Sequence, residues 1–207
     1  VKGGTIRGDK PFGSVGGNNI AKANKYAPVA NDDSTNVAVE VIQVIQTLGA
    51  KVEIIWGGNY YAQSLSNSSC WIVWDKKNSG NFADCELAWT NQKTAVRKFE
   101  HMWNGMVKAS EHGQKRVHPT QKPIALAEWC FDEYAQECET VLDLFGGSGS
   151  TLMGCETRNK RGFMMELSSA YCDVIIKRWQ DFTGKTAIHE QTNKTYNQLK
   201  ADKCKAA

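Results

Sequence analysis

Apolar residues recur along this chain in two rhythms, helical spacing and short buried runs, and the two alternate. The first 33 residues show neither; rich in Gly, Asn and Lys, they predict a long loop. Val37, Val41, Val44, Ile45 and Leu48 then fall at helical spacing, with Ser34 or Thr35 as cap and Gly49 as stop. Residues 51–56 read as a short strand broken by Gly57-Gly58, and residues 70–74 as a second buried strand. Two further runs, 84–90 and 94–99, flank Asn91-Gln92-Lys93 and predict a hairpin.

The second half is more regular. Pro123 suits the first turn of a helix carrying Ile124, Leu126, Ala127, Trp129, Cys130 and Tyr134. A strand at 140–145, a glycine loop at 146–149 and a helix at 150–159 follow, then a strand at 161–167. A helix at 168–182 turns Ala170, Val174, Ile175 and Trp179 inward, and beyond Gly184 the polar, Lys-rich remainder predicts a loosely held tail. Strands alternating with helices imply an α/β fold with a mostly parallel sheet covered on both faces. Ligands of such sheets bind beyond the carboxyl ends of the strands, which is where the glycine loop falls.

Composition narrows the class. At 207 residues, 41% hydrophobic and 23% charged, the chain suits one folded domain. No stretch approaches the ~20 consecutive apolar residues of a bilayer span, and the N-terminus lacks the apolar stretch of a secretory signal. Seven cysteines without a C-x-x-C pair read as reduced, buried thiols of a cytoplasmic protein rather than a zinc or disulfide framework. The net charge of +3 says little, but residues 76–117 hold eight Lys/Arg against four acids, with Trp89, Phe99 and Trp103 interleaved. That pattern fits a solvated face and equally a nucleic-acid surface.

Three motifs carry chemistry. In Val141-Leu142-Asp143-Leu144-Phe145-Gly146-Gly147-Ser148-Gly149-Ser150-Thr151, a buried strand enters a loop where a ligand can press against backbone. The dinucleotide fingerprint counted from Gly147 fails at Leu152, and a Walker loop counted from Gly149 fails at Cys155 and Glu156. Glu166 ends the next strand, where a carboxylate can accept both hydroxyls of a ribose. Loop and acid together suit an adenosine group without pyrophosphate. The third motif, Arg116-Val117-His118-Pro119-Thr120-Gln121-Lys122-Pro123, uses two prolines to hold a rigid approach to the following helix. His118 has no second ligand at metal spacing, so a metal site is not expected.

The proline motif, the helix, the glycine loop and the strand ending in Glu resemble, in this order, the exocyclic-amino DNA methyltransferases. The resemblance is to their permuted group, with the catalytic half first. Residues 116–182 carry it most strongly. Gly57-Gly58-Asn59-Tyr60, the run from Cys70 to Lys76 and the run from Phe82 to Thr90 extend it to about 150 residues.

The resemblance implies a Rossmann-like class I methyltransferase fold and S-adenosylmethionine as cofactor. Asp143, Phe145, Gly147, Ser148, Gly149 and Thr151 would line the cofactor, Glu166 would hold its ribose, and Thr120 and Lys122 would close over its methionine end. It implies methyl transfer to a flipped base in double-stranded DNA, adenine N6 first and cytosine N4 as the alternative, in a cytoplasmic protein of a bacterium or phage, with no membrane partner and with a homodimer allowed. A non-catalytic cofactor- or DNA-binding relic is the competing reading. Lys93, Arg97, Lys98, Lys115 and Arg116 are the expected DNA contacts. Residues 1–75 would form the catalytic half, 76–117 a DNA-recognition insert and 118–184 the cofactor half of a single domain, with 185–207 as the tail. The departure is the family's catalytic Asp/Asn/Ser-Pro-Pro-Tyr/Phe, which has no intact copy. Asp9-Lys10-Pro11-Phe12 approximates it, with Asp9 and Phe12 as weak candidates, and the intact motif is expected upstream of Val1.

Overall fold

The computed structural model describes residues 26, 35–78, 83–103 and 107–206; Asp9 and Phe12 lie outside them. The α/β class expected from the alternation is what the structure shows. Helix α1 (Asn36–Leu48) leads to β1 (Ile54–Trp56), two 3-10 turns (Gly58–Tyr60 and Ala62–Ser64), β2 (Trp71–Asp75), β3 (Cys85–Thr90) and β4 (Arg97–Glu100). Then come α2 (Ile124–Tyr134), β5 (Thr140–Asp143), α3 (Ser150–Thr157), β6 (Arg161–Met164) and α4 (Ser169–Thr183). The last elements are β7 (Ile188–His189), β8 (Lys194–Thr195) and α5 (Tyr196–Ala206). Gly49 and Gly184 stop α1 and α4 in the left-handed conformation, as their positions predict.

Strands β1 to β4 form one sheet in the order β1-β3-β2-β4, and β5 and β6 form a parallel pair. The larger sheet is more mixed than expected. β3 runs antiparallel to both β1 and β2, and β2·β4 is its parallel pair. The predicted hairpin between 84–90 and 94–99 does not form. Both edges of β3 are taken by β1 and β2, so β4 crosses to the far edge of β2. β3 and β4, which fall within 76–117, are therefore strands of the sheet itself. The expected loose tail after Gly184 instead folds into the β7–β8 hairpin and α5, though most of it stays exposed.

Helix α2 covers one face of the larger sheet. Leu126 meets Trp74 and Trp103, and Cys130 meets Ile72 and Ala88, with Trp129 and Tyr134 packed alongside. The other face is covered from residues 57–70: Trp89 donates its indole N–H to Ser66 O at 2.8 Å, and Gly58 presses on the Trp89 backbone. On its second side α2 presents Ala127, Phe131 and Ala135, which pack with Cys155 of α3, Val141 of β5 and Val52 before β1. One helix thus joins the sheet to the β5–β6 pair. The outer face of that pair stays open: Leu142 is 53% and Phe163 46% exposed, although they are partners in register. Among the described residues no helix is long and apolar enough to cross a membrane.

The α2–α3 contact is close because residue 154 has no side chain. A Cβ on Gly154 would lie 2.9 Å from Ala127 Cβ and 3.3 Å from the Phe131 ring. Leucine gains nearly 1 kcal/mol over glycine in helix propensity. Overpacking costs roughly 1–3 kcal/mol even for added methylenes, and a whole isobutyl group between two helices lies at the upper end. Gly154→Leu is therefore expected to lose about 2 kcal/mol in urea unfolding; an unchanged or raised midpoint would show that the helices can part without cost.

Candidate functional site

Parallel pairing places the site. β5 and β6 are in register, with Asp143 opposite Met164, so both strands release the chain at the same edge. The ladder continues one step beyond, through Met165 N to Asp143 O and Gly146 N to Met165 O, both at 2.8 Å. Gly147 and Glu166 thereby become neighbours, and Gly147 N donates to Glu166 Oε2 at 2.8 Å. The other carboxylate oxygen accepts from Ser168 N, also at 2.8 Å, just ahead of α4. Glu166 ties the glycine loop to the start of α4, and each oxygen keeps a lone pair for a further donor.

The loop glycines answer to different demands. Gly147 has φ +52 and Gly149 φ +77, conformations that side chains resist. A Cβ on Gly149 would meet Ile175 Cγ2 at 3.0 Å, and one on Gly146 would meet Ile175 Cδ1 at 2.9 Å, so these two let the loop rest on α4. A Cβ on Gly147 would face the His118 ring at 3.7 Å. Asp143 turns its carboxylate back to Phe145 N, while the Phe145 ring is exposed. Thr151 sits in the first turn of α3.

The proline motif folds around its own polar groups. Gln121, buried, accepts from Val117 N at 2.9 Å, and its carbonyl receives the Trp103 indole N–H at 2.9 Å. His118 is buried with its ring 4.3 Å from that of Tyr171, and its Nδ1 accepts from Thr120 N at 3.2 Å. Arg116 donates to the carbonyls of His118 and Pro119. Ser150 Oγ then donates to Lys122 O at 2.6 Å and lies 3.1 Å from Ser148 Oγ, which joins this motif to the glycine loop. Three segments far apart in sequence are therefore bonded together, with Thr120 exposed and Lys122 half-buried.

The basic residues divide. Lys98 pairs with Glu100 and, at 3.8 Å, with Asp75, and Arg116 is a strut of the proline motif. Lys93, Arg97 and Lys115 are exposed, as is the paired Lys98. A charge cluster that sequence reading passed over stands at the Lys122 end. Glu86 of β3 holds Lys76 at 2.5 Å and Lys122 at 3.9 Å. Burial alone would raise the Glu86 carboxyl, but Lys122, Lys76 and Arg116 together hold it below the ordinary glutamate value. Arg178 and Glu111 were also passed over. Tyr171, Ile175 and Arg178 share one face of α4 at helical spacing, and an arginine on a buried face was the available signal.

A carboxyl depressed by folding stabilises the protein above its ordinary value of 4.5, and that contribution is lost as pH falls through the lower native value. The stability gap between the wild-type chain and Glu86→Gln should thus be largest near neutral pH and close on acidification below about pH 4.5. Urea unfolding at several pH values measures it; a gap independent of pH would mean that Glu86 gains nothing from its lysines.

A family described as DNA methylase, the N6/N4 methyltransferases, matches residues 9–178. Over 86 residues the chain is 33% identical to the Type II methyltransferase M.HpaI of Haemophilus parainfluenzae, covering 41% of this chain and 27% of that protein. Over 127 residues it is 23% identical to the Type II methyltransferase M2.MboI of Moraxella bovis, covering 60% and 46%. The chain thus spans between about a quarter and a half of the length of these relatives. The crystal structure of an M1.HpyAVI–SAM complex superposes with a TM-score of 0.50 at 22% identity, covering 71% of this chain and 84% of that one, and so shares its fold. From its match over residues 9–178, the chain belongs to the N6/N4 DNA methylase family.

Proposed function

We propose that this chain binds S-adenosylmethionine at the edge formed by the glycine loop, Glu166 and the proline motif, and serves DNA methylation at an exocyclic amine. The observation that carries the reading is the direct Gly147–Glu166 contact at the ends of a parallel strand pair. The residues fit the cofactor. Glu166 is fixed by two backbone N–H groups and retains acceptor capacity for two ribose hydroxyls. In this reading Ser148 and Gly149 of the loop, with Asp143, Phe145 and Thr151 flanking it, line the cofactor, and Thr120 and Lys122 offer a hydroxyl and a cation to the methionine carboxylate. When bound, the cofactor supplies a methyl group on a sulfonium, a good leaving group that needs no metal.

The protein's part is then alignment more than acid–base chemistry. The target nitrogen must aim its lone pair at the methyl, which requires acceptors for its two N–H bonds and an aromatic face for the flipped base. Asp9 and Phe12 of Asp9-Lys10-Pro11-Phe12 are the candidates within this chain, and the family match begins at Asp9. Lys10 stands where the family pattern has proline. Adenine N6 is the finer reading and cytosine N4 the alternative. Lys93, Arg97 and Lys115, exposed, are the first of the five cations to meet DNA phosphates; Lys98 is exposed but paired with Glu100, and Arg116 is bonded to two carbonyls.

Glu166→Gln is expected to weaken S-adenosylmethionine by roughly 1–3 kcal/mol in calorimetric titration, the scale of charge-assisted hydrogen bonds. A 2′,3′-dideoxy analogue should lose less, because it retains only the indirect effect through Gly147. Equal losses for both ligands would leave Glu166 as a brace for the loop alone. Joint neutralisation of Lys93, Arg97 and Lys115 should flatten the salt dependence of DNA binding by about 0.9 in log–log slope per phosphate contact removed. Methyl transfer from labelled cofactor to unmethylated DNA, followed by nucleoside digestion, identifies the base. Activity lost by two or more orders of magnitude in Asp9→Ala would make Asp9 the acceptor; activity unchanged would place the acceptor elsewhere.

A further inference from the structure

Outside the motifs, the most enclosed ion pair near the site joins Arg178 of α4 to Glu111, with side chains 14% and 6% exposed and Nη2 3.0 Å from Oε1. Each of the two also bonds one of the segments that carry the site. Arg178 Nη1 donates to the carbonyl of Ser148 in the glycine loop. Glu111 Oε2 accepts from Ile124 N at 3.0 Å, the first residue of α2 and the second after Lys122. The residue at the cap position of α2 is Pro123, which makes no side-chain cap. A carboxylate from 13 residues upstream supplies that bond and places negative charge at the helix N-terminus. Glu111 does so from a left-handed backbone, φ +53, a conformation that a non-glycine residue keeps only when its surroundings enforce it.

We infer that Arg178 and Glu111 are positioning residues for the cofactor site, a buried clasp that fixes the glycine loop against the end of the proline motif. The inference rests on the cofactor reading given above. A simple ionic cement would need charge alone, whereas a clasp needs the guanidinium fork and the carboxylate at their present ends. The fork bonds Glu111 and Ser148 O at once, which a lysine ammonium at the end of a single stem does not reproduce. The carboxylate bonds Arg178 and Ile124 N at once, and an amide offers only one acceptor oxygen for the two donors.

Two measurements on the 207-residue chain separate these readings: calorimetric affinity for S-adenosylhomocysteine, and the thermal midpoint. For Arg178→Lys we expect a folded protein with a midpoint within a few degrees of wild type and cofactor-product affinity down about tenfold or more. Glu111→Gln leaves the enclosed guanidinium without its counter-charge, so its midpoint should fall further than that of Arg178→Lys, with cofactor-product affinity also reduced and faster amide exchange at Ile124. The exchanged pair, Glu111→Arg with Arg178→Glu, restores the opposite charges but leaves Ser148 O without a donor and Ile124 N without an acceptor. Its affinity should remain low even where its midpoint recovers. Should the exchanged pair fail to fold, the Arg178→Lys result decides alone. Wild-type affinity in Arg178→Lys, or affinity that follows the midpoint in every variant, overturns the clasp while leaving the cofactor reading intact. A wild-type chain that binds no S-adenosylhomocysteine overturns both.

Discussion

Helix α2 has two apolar sides, and the rest of the structure depends on both being filled. Leu126 and Cys130 point into the four-stranded sheet, while Ala127, Phe131 and Ala135, at four-residue steps, point to α3 and β5. A helix buried on one stripe would serve a single layer. Burial on two stripes makes α2 the common wall of the sheet that carries Glu86 and of the strand pair that carries Gly147 and Glu166. The proline motif runs straight into this helix, so the packing of Leu126 and Phe131 helps to set the position of Lys122, beside the Ser150 bond to its carbonyl.

Around that wall the polar groups are arranged with little slack. The proline motif bends through its own carbonyls, and Arg116, Gln121, His118 and Trp103 each take up a backbone group that the bend would otherwise strand. The glycine loop is held from three directions, by Met165 O, by Glu166 and by Arg178. Such over-determination suits a site whose chemistry rests on alignment, since a loop already held in place needs less ordering when a ligand arrives.

The legible part of this protein was local. Helical spacing and glycine stops placed α1, α2 and α4 to within a few residues, and a strand–glycine–helix run with an acid at the next strand end was enough to put Gly147 beside Glu166. Strand order was not legible. Nothing in residues 84–99 says that β3 will lie between β1 and β2, because pairing is decided by which edges remain open once distant strands have met. Charge pairing was not legible for the same reason: only the fold brings Glu100 beside Lys98, which stays exposed, and two carbonyls beside Arg116. Gln121, Glu111 and Arg178 are polar residues with buried duties, and hydropathy assigns such residues to the surface. The catalytic candidates Asp9 and Phe12 stand outside the described residues, so their reading rests on sequence and family match.

The β5–β6 pair has a thermodynamic consequence of its own. Two short parallel strands have little cohesion in isolation, and this pair leaves Leu142 and Phe163 facing solvent on one side. Its order is borrowed from α2, α3 and α4. Such a unit is disposed to open ahead of the four-stranded sheet, in a sub-global fluctuation that exposes the glycine loop while Trp74 and Ile72 stay packed. A ligand that bridges the ends of both strands binds the closed form and not the open one, so it closes this fluctuation by mass action. Occupancy of the site would then act as a missing neighbour for the strands, adding to the hold that Met165, Glu166 and Arg178 already give the loop.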